Sequence, residues 1–106
     1  MQLGYEKLDV TKLVRDLVTN TYSITGKWPM QELGYGGLGH QARRSSVSVS
    51  LNIAEGSAGT NPDFARFVRI SIRSLLETKE CMLIGESLGY EVHKDIDQKI
   101  STLYSN

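Results

Sequence analysis

The stretch Gln41-Ala42-Arg43-Arg44-Ser45-Ser46-Val47-Ser48-Val49-Ser50-Leu51-Asn52-Ile53-Ala54-Glu55-Gly56 decides the fold, and it reads two ways. With period two, Val47, Val49, Leu51 and Ile53 alternate with Ser46, Ser48, Ser50 and Asn52, the pattern of a half-buried strand. With period 3.6, the apolar residues form two separate stripes. Leu38, Ala42, Ser45, Val49 and Ile53 make one, and Val47, Leu51, Ala54 and Ala58 make the other. A polar line of Gln41, Ser48, Asn52 and Glu55 runs between them. Periodicity alone leans to the strand.

Size and composition narrow the setting without resolving that choice. A chain of 106 residues has room for one hydrophobic core, so residues 1–106 are expected to form a single domain. The 12 basic and 12 acidic side chains balance, which removes the simplest argument for nucleic-acid binding, a strongly basic chain. One cysteine, Cys81, excludes an internal disulfide and a cysteine-rich zinc site; its neighbours Met82, Leu83 and Ile84 point to a buried thiol. No apolar run approaches the ~20 residues that span a bilayer. The opening Met1-Gln2-Leu3-Gly4-Tyr5-Glu6 lacks the basic and apolar parts of a signal peptide. A cytoplasmic protein that does not engage a membrane is the expectation.

A resemblance breaks the tie. Gln41, Arg43, Arg44, Val47, Ser48, Asn52, Ile53, Ala54, Glu55 and Gly56 match a motif of the four-helix-bundle family that includes proteins encoded in intervening sequences of bacterial large-subunit ribosomal RNA genes. Phe64, Phe67, Ser74-Leu75, Glu77 and Leu88-Gly89-Tyr90 resemble that family's third helix. The accessory variability determinant of diversity-generating retroelements is a more distant likeness. The resemblance implies that 41–56 is helical, against its own alternation. It also implies assembly into pentameric rings, and a link to nucleic acid through the relative associated with a reverse transcriptase. Two departures stand out. Ser57-Ala58-Gly59-Thr60 occupies a place where relatives often carry arginine, and Arg73 stands where a small residue is common.

Taken in order, the chain then reads as four helices. Asp9 is the expected N-cap of the first, whose apolar face is Val10, Leu13, Val14, Leu17, Thr21 and Ile24. Gly26, as a left-handed cap, and Pro29 end it. Leu33 to Gly39 is a glycine-rich connection, and the second helix starts near Leu38. After a turn over Gly56 to Thr60, Asn61-Pro62 reads as an N-cap followed by proline at the first helical position. The third helix runs to about Leu88 with Phe64, Phe67, Val68, Ser71, Leu75, Met82 and Gly85 near one stripe, and Gly89 closes it. Val92, Ile96, Ile100 and Leu103 mark a short fourth helix. The expected architecture is all-α: an antiparallel up-down four-helix bundle with a short last helix.

The motifs favour binding over chemistry. Gly34-Tyr35-Gly36-Gly37-Leu38-Gly39 has dinucleotide-fingerprint spacing, but Trp28-Pro29-Met30-Gln31-Glu32 precedes it where that motif needs a strand, so a loop is expected and no cofactor. His40 and His93 lie far apart without a cysteine or second histidine at ligand spacing, so no metal is expected. Ser45, Ser46, Ser48 and Ser50 have no base on their helical face, so no catalytic residue is assigned and an enzyme is not expected. Asn52 and Glu55, three apart, share a face, and Glu77 belongs to the same family pattern. They read as a structural polar cluster, with Arg43, Arg44 or Arg73 as partners for any buried carboxylate. A ligand site is the alternative.

Arg66, Arg69 and Arg73 fall at i, i+3 and i+7 on the third helix. Between His40 and Arg73, five arginines face only Glu55 and Asp63, whereas Glu86 to Lys99 carries four acids against Lys94 and Lys99. Arg43, Arg44, Arg66, Arg69 and Arg73 are therefore the candidate nucleic-acid contacts, for RNA or DNA, weak and electrostatic. The surplus apolar stripe on the second helix points to a homo-oligomer, with a pentamer implied by the resemblance. The leading expectation is a non-enzymatic oligomeric scaffold that engages nucleic acid or a nucleoprotein. The alternative is a self-associating protein-interaction or regulatory module with no nucleic-acid role.

Overall fold

The apolar spacing of the N-terminal third produces a first helix, α1 (Tyr5–Thr25), which buries Val14, Leu17, Thr21, Ile24 and Thr25. The structure, a computed structural model, describes residues 5–105, with side chains from Val10 to Tyr104. The opening Met1 to Gly4, read above for a leader segment, lies outside the described residues. Helix is already established four residues before Asp9, so Asp9 is inside α1 and does not cap it. Thr21 and Thr25 are buried without penalty because each hydroxyl donates to a carbonyl one turn back, Leu17 O at 2.8 Å and Thr21 O at 2.7 Å. Gly26 follows α1, but among the described residues only Gly36 (φ +84°) and Gly89 (φ +86°) take the left-handed conformation. The expected left-handed cap at Gly26 is therefore absent.

A single 3-10 turn, Met30–Glu32, leads through the glycine loop into α2 (Leu38–Ser57). The helical reading of residues 41 to 56 holds, and the alternation is a coincidence of two helical stripes. The stripe Ala42, Ser45, Val49 and Ile53 is buried, whereas Val47 is half-buried and Leu51, Ala54 and Ala58 are exposed. Serine does not break α2, because its hydroxyls return to the helix: Ser45 to Ala42 O, Ser46 to Arg43 O and Ser57 to Ala54 O.

The third helix, α3 (Asn61–Ser87), starts one residue earlier than the Asn-Pro signal suggests. Thr60 is the N-cap: its hydroxyl accepts from Asp63 N, and the Asp63 carboxylate accepts from Thr60 N, a reciprocal capping box. Pro62 lies in the first turn, where a missing N–H costs nothing. Gly89 then turns the chain towards α4 (Asp95–Ser105), which buries Ile96 and Ile100.

Four helices with short connections make the expected all-α bundle around one core of Val14, Leu17, Ile24, Trp28, Val49, Ile53, Leu75, Met82, Ile96 and Ile100. The 11 residues of α4 against the 27 of α3 leave an apolar groove of about 280 Å³ where α4 stops, walled by Val10, Val14, Val68, Ile72 and Leu103. No described helix is long and apolar enough to cross a membrane.

Candidate functional site

The site rests on the α2–α3 seam, the most extensive helix pair in the molecule. Small residues let the two helices approach. A Cβ on Gly56 would lie 2.7 Å from Phe67 Cβ and 3.3 Å from Phe64 Cα, so the last residue of the Asn-Ile-Ala-Glu-Gly run is where the helices nearly touch. Hydroxyls then stitch the seam. Ser71 donates to Val49 O at 3.2 Å, Ser74 donates to Ser48 Oγ at 3.0 Å, and Ser45 and Thr78 share a bond of 2.7 Å. These pairs set an antiparallel register in which Gly56 faces Phe67 and Ser45 faces Thr78.

That register separates the arginines. Arg66, Arg69 and Arg73 are exposed on the side of α3 turned away from the core, spread over about 10 Å of helix. No described carboxylate lies within ion-pair distance of them, and Lys27–Glu91 is the single ion pair among the described residues. Glu77, one turn beyond Arg73, forms no ion pair, and Asp63, the acid nearest Arg66 in sequence, is committed to the cap. The Thr60 backbone N–H, then the Thr60 hydroxyl and the Arg66 charge hold its carboxyl below the ordinary aspartate value. The Arg66 guanidinium lies over the Phe67 ring, 4.3 Å from its centre.

Arg43 is elsewhere and occupied. Its Nε donates to Thr25 Oγ1 at 2.8 Å, its Nη2 donates to Tyr22 O at 3.3 Å, and its guanidinium lies over the Tyr22 ring. It clamps the end of α1 to α2, meeting the partial negative charge of that helix terminus. Arg44 is exposed and level with Thr78, about 18 Å along the bundle from Arg66. The five candidate arginines therefore form one stripe of three, one clamp and one distant single charge.

The polar residues divide likewise. Asn52 is half-buried and donates to Ser48 O at 2.8 Å and to Ser48 Oγ at 3.1 Å. Glu55 and Glu77 are both exposed, and neither carboxylate has a hydrogen bond or ion pair among the described residues. Among the described residues no buried carboxylate has an arginine partner, and Asn52 pairs with Ser48. Glu77 instead lines an open cleft of about 460 Å³ with Tyr35, His40, Arg44, Ser48 and Ser74. Of the dinucleotide-like glycines, Gly34, Gly36 and Gly37 belong to the loop at its mouth, with Gly36 at positive φ, and Gly39 is buried in α2.

Sequence reasoning missed Glu32. Its carboxylate accepts from Leu38 N at 3.1 Å, capping α2 where Gly37 has no side chain to do so, and from Tyr90 Oη at 2.8 Å. The Leu38 N–H, then the Tyr90 hydroxyl, hold its carboxyl below the ordinary value. A carboxylate six residues ahead of a helix lies outside the usual cap spacing, so the local sequence carried no sign of it. Cys81 is buried as expected. Burial first, then the charges of Glu77 and Glu80, push its thiol up to about 11.

Close packing along a hydroxyl-lined α2–α3 seam, with an arginine face left outside it, defines a small all-α helical bundle. The 23S rRNA-intervening sequence protein family matches residues 6–105, nearly the whole chain, and the protein belongs to that family. No curated protein matches it.

Proposed function

We propose that the protein is a non-enzymatic bundle that self-associates through the outer face of α2 and engages nucleic acid through the outer face of α3. The observation that carries this reading is the arginine stripe. Three exposed guanidinium groups lie over about 10 Å of one helix, and none forms an ion pair among the described residues, so each is free to meet a phosphate. Of the two acids on α3 that flank the stripe, Asp63 is held in a cap, and Glu77, one turn beyond Arg73, forms no ion pair with it. The family name refers to an intervening sequence of 23S rRNA, which makes RNA the first nucleic acid to test.

Self-association is supported by Leu51, 64% exposed, with Val47, Ala54 and Ala58 beside it. Five subunits is the number implied by the family resemblance. A ring multiplies a weak contact, because one strand that reaches several subunits meets the later ones at high effective concentration. The buried thiol and the absence of a described membrane-spanning helix fit a cytoplasmic setting.

The balanced charge of the whole chain favours a second reading, a self-associating protein-interaction module. A salt titration separates the two. With three contacts per engaged subunit, log affinity should fall with log salt at a slope of about −2 on single strands for each subunit engaged. Arg66→Glu/Arg73→Glu should abolish binding while light scattering shows unchanged assembly. Binding that survives both high salt and the double reversal rejects the arginine face. No binding by the intact assembly at low salt leaves the protein-interaction reading.

A further inference from the structure

We propose that the cleft between α2 and α3 is a guanine-nucleotide site, taking the base as a free mononucleotide or as an unpaired residue of an RNA strand. None of the three stripe arginines lines it, and only the RNA source rests on the nucleic-acid reading above. The volume of about 460 Å³ falls within the range of small-molecule pockets.

Three features of the lining point to this ligand. Arg44 and Glu77 carry opposite charges into one cleft, yet they form no ion pair with each other or with any described residue. Each is therefore available, one to an anion and the other to a pair of donors. Tyr35 is 95% exposed at the mouth, its ring 5.6 Å from that of His40 and tilted by 45°. A tyrosine so placed buries almost nothing for the fold, but it presents a face on which a base can stack. Ser48 Oγ accepts from both Asn52 and Ser74, which leaves its own hydrogen to donate.

Guanine fits that set and adenine does not. The Watson–Crick edge of guanine offers two adjacent N–H donors, N1 and N2, to a carboxylate, beside a carbonyl that accepts from a hydroxyl. Adenine places a lone pair at N1, which a carboxylate repels. Arg44 supplies the counter-charge to the nucleotide phosphate, and Tyr35 holds the base plane.

The test is calorimetric titration of the full chain with GMP and with AMP, repeated at 0.5 M salt. GMP should bind about tenfold more tightly than AMP, the discrimination typical of one bidentate edge contact. The preference should persist at high salt, where stripe-mediated RNA binding is screened. Glu77→Gln should erase the preference, since an amide can accept with only one of its two groups. Tyr35→Ala, at a position that contributes little to folding, should weaken GMP and AMP alike. An oligouridine hexamer with one central guanine, set against the same strand with adenine, assigns the source. A guanine preference in the hexamer that exceeds that for GMP indicates an RNA residue, and a preference for GMP alone indicates the free nucleotide. Equal binding of GMP and AMP, no binding of either, or a preference that survives Glu77→Gln overturns the site. None of those outcomes touches the salt-dependent binding that decides the role of the arginine stripe.

Discussion

Replacing Gly56 by alanine tests how closely α2 and α3 are packed. Alanine within a helix is ordinarily favoured over glycine by about 0.5–1 kcal/mol. Gly56 is the penultimate residue of α2, so the lower half of that gain applies. Against it, the new methyl would lie 2.7 Å from Phe67 Cβ and 3.3 Å from both Phe67 Cγ and Phe64 Cα. Ordinary carbon contacts lie near 3.5–4.0 Å, so α3 must recede by about 0.8 Å or more. Phe67 Cβ is fixed to the backbone and cannot turn aside. Forcing a methyl into such a contact costs about 1–3 kcal/mol, which leaves a net loss of about 0.5–2.5 kcal/mol. Urea unfolding at one fixed, low protein concentration should show it as a lower midpoint with an unchanged slope, because stability depends on concentration if the chain self-associates. Gly34→Ala is the control, since its Cβ meets only Gln31 O at an ordinary 3.8 Å. If Gly56→Ala raised the midpoint by the full helical gain, the close approach of the two helices would be wrong.

The remaining predictions concern acid, thiol and interface. Because the Glu32 carboxyl is held below its ordinary value of 4.5, its contribution is complete above that pH and is lost as pH falls through the lower folded value. The urea midpoints of wild type and Glu32→Gln should therefore differ at pH 6 and converge towards pH 3; a constant gap would show that the cap is not ionic. With a thiol value of about 11, Cys81 should be only about one-thousandth thiolate at pH 8. Iodoacetamide should modify the folded chain far more slowly than the urea-unfolded one, and equal rates would contradict the burial. Leu51→Asp should leave the stability of one subunit within about 0.5 kcal/mol, since the side chain is 64% exposed, while reducing the mass seen by light scattering. Unchanged mass would remove the outer face of α2 from the assembly.

Much of the architecture was legible because long helical stripes carry redundant information. Leu17, Ile24, Leu75, Met82, Ile96 and Ile100 all fall where 3.6-residue spacing puts them in the core. Helix ends were less legible, since caps depend on single hydrogen bonds. Thr60 outcompeted Asn61 because Asp63 stands three residues beyond it and closes the box from both sides. Gly26 lacks the left-handed turn its position suggested, while Gly89 has it. The carboxylates misled for a different reason. Spacing places Glu55 and Asn52 on a shared face, but the burial of that face is a property of the neighbouring helix. In the fold, Asn52 reaches Ser48 and Glu55 stays in solvent.

The ambiguity of the central stretch has a physical cause that bears on assembly. A helix that packs closely on a neighbour needs small groups on its inner face. The buried residues of α2 are mostly small: Gly39, Ala42, Ser45, Ser46, Gly56 and Ser57, with Val49 and Ile53 as the larger members. Serine at these positions reads as polar in any alternation count, yet each hydroxyl here is satisfied within α2 or across the seam. The apolar bulk of Val47 and Leu51 is then left on the opposite side. The helix thus shows nearly as much hydrocarbon outward as inward, an arrangement that produced the strand-like pattern and costs free energy in a lone subunit. Covering Val47 and Leu51 removes that cost, while the seam with α3 needs nothing further. An inner face thinned for close packing and an outer face left apolar are two consequences of one pattern, and the second is why the outer face of α2 is the first surface to test for self-association.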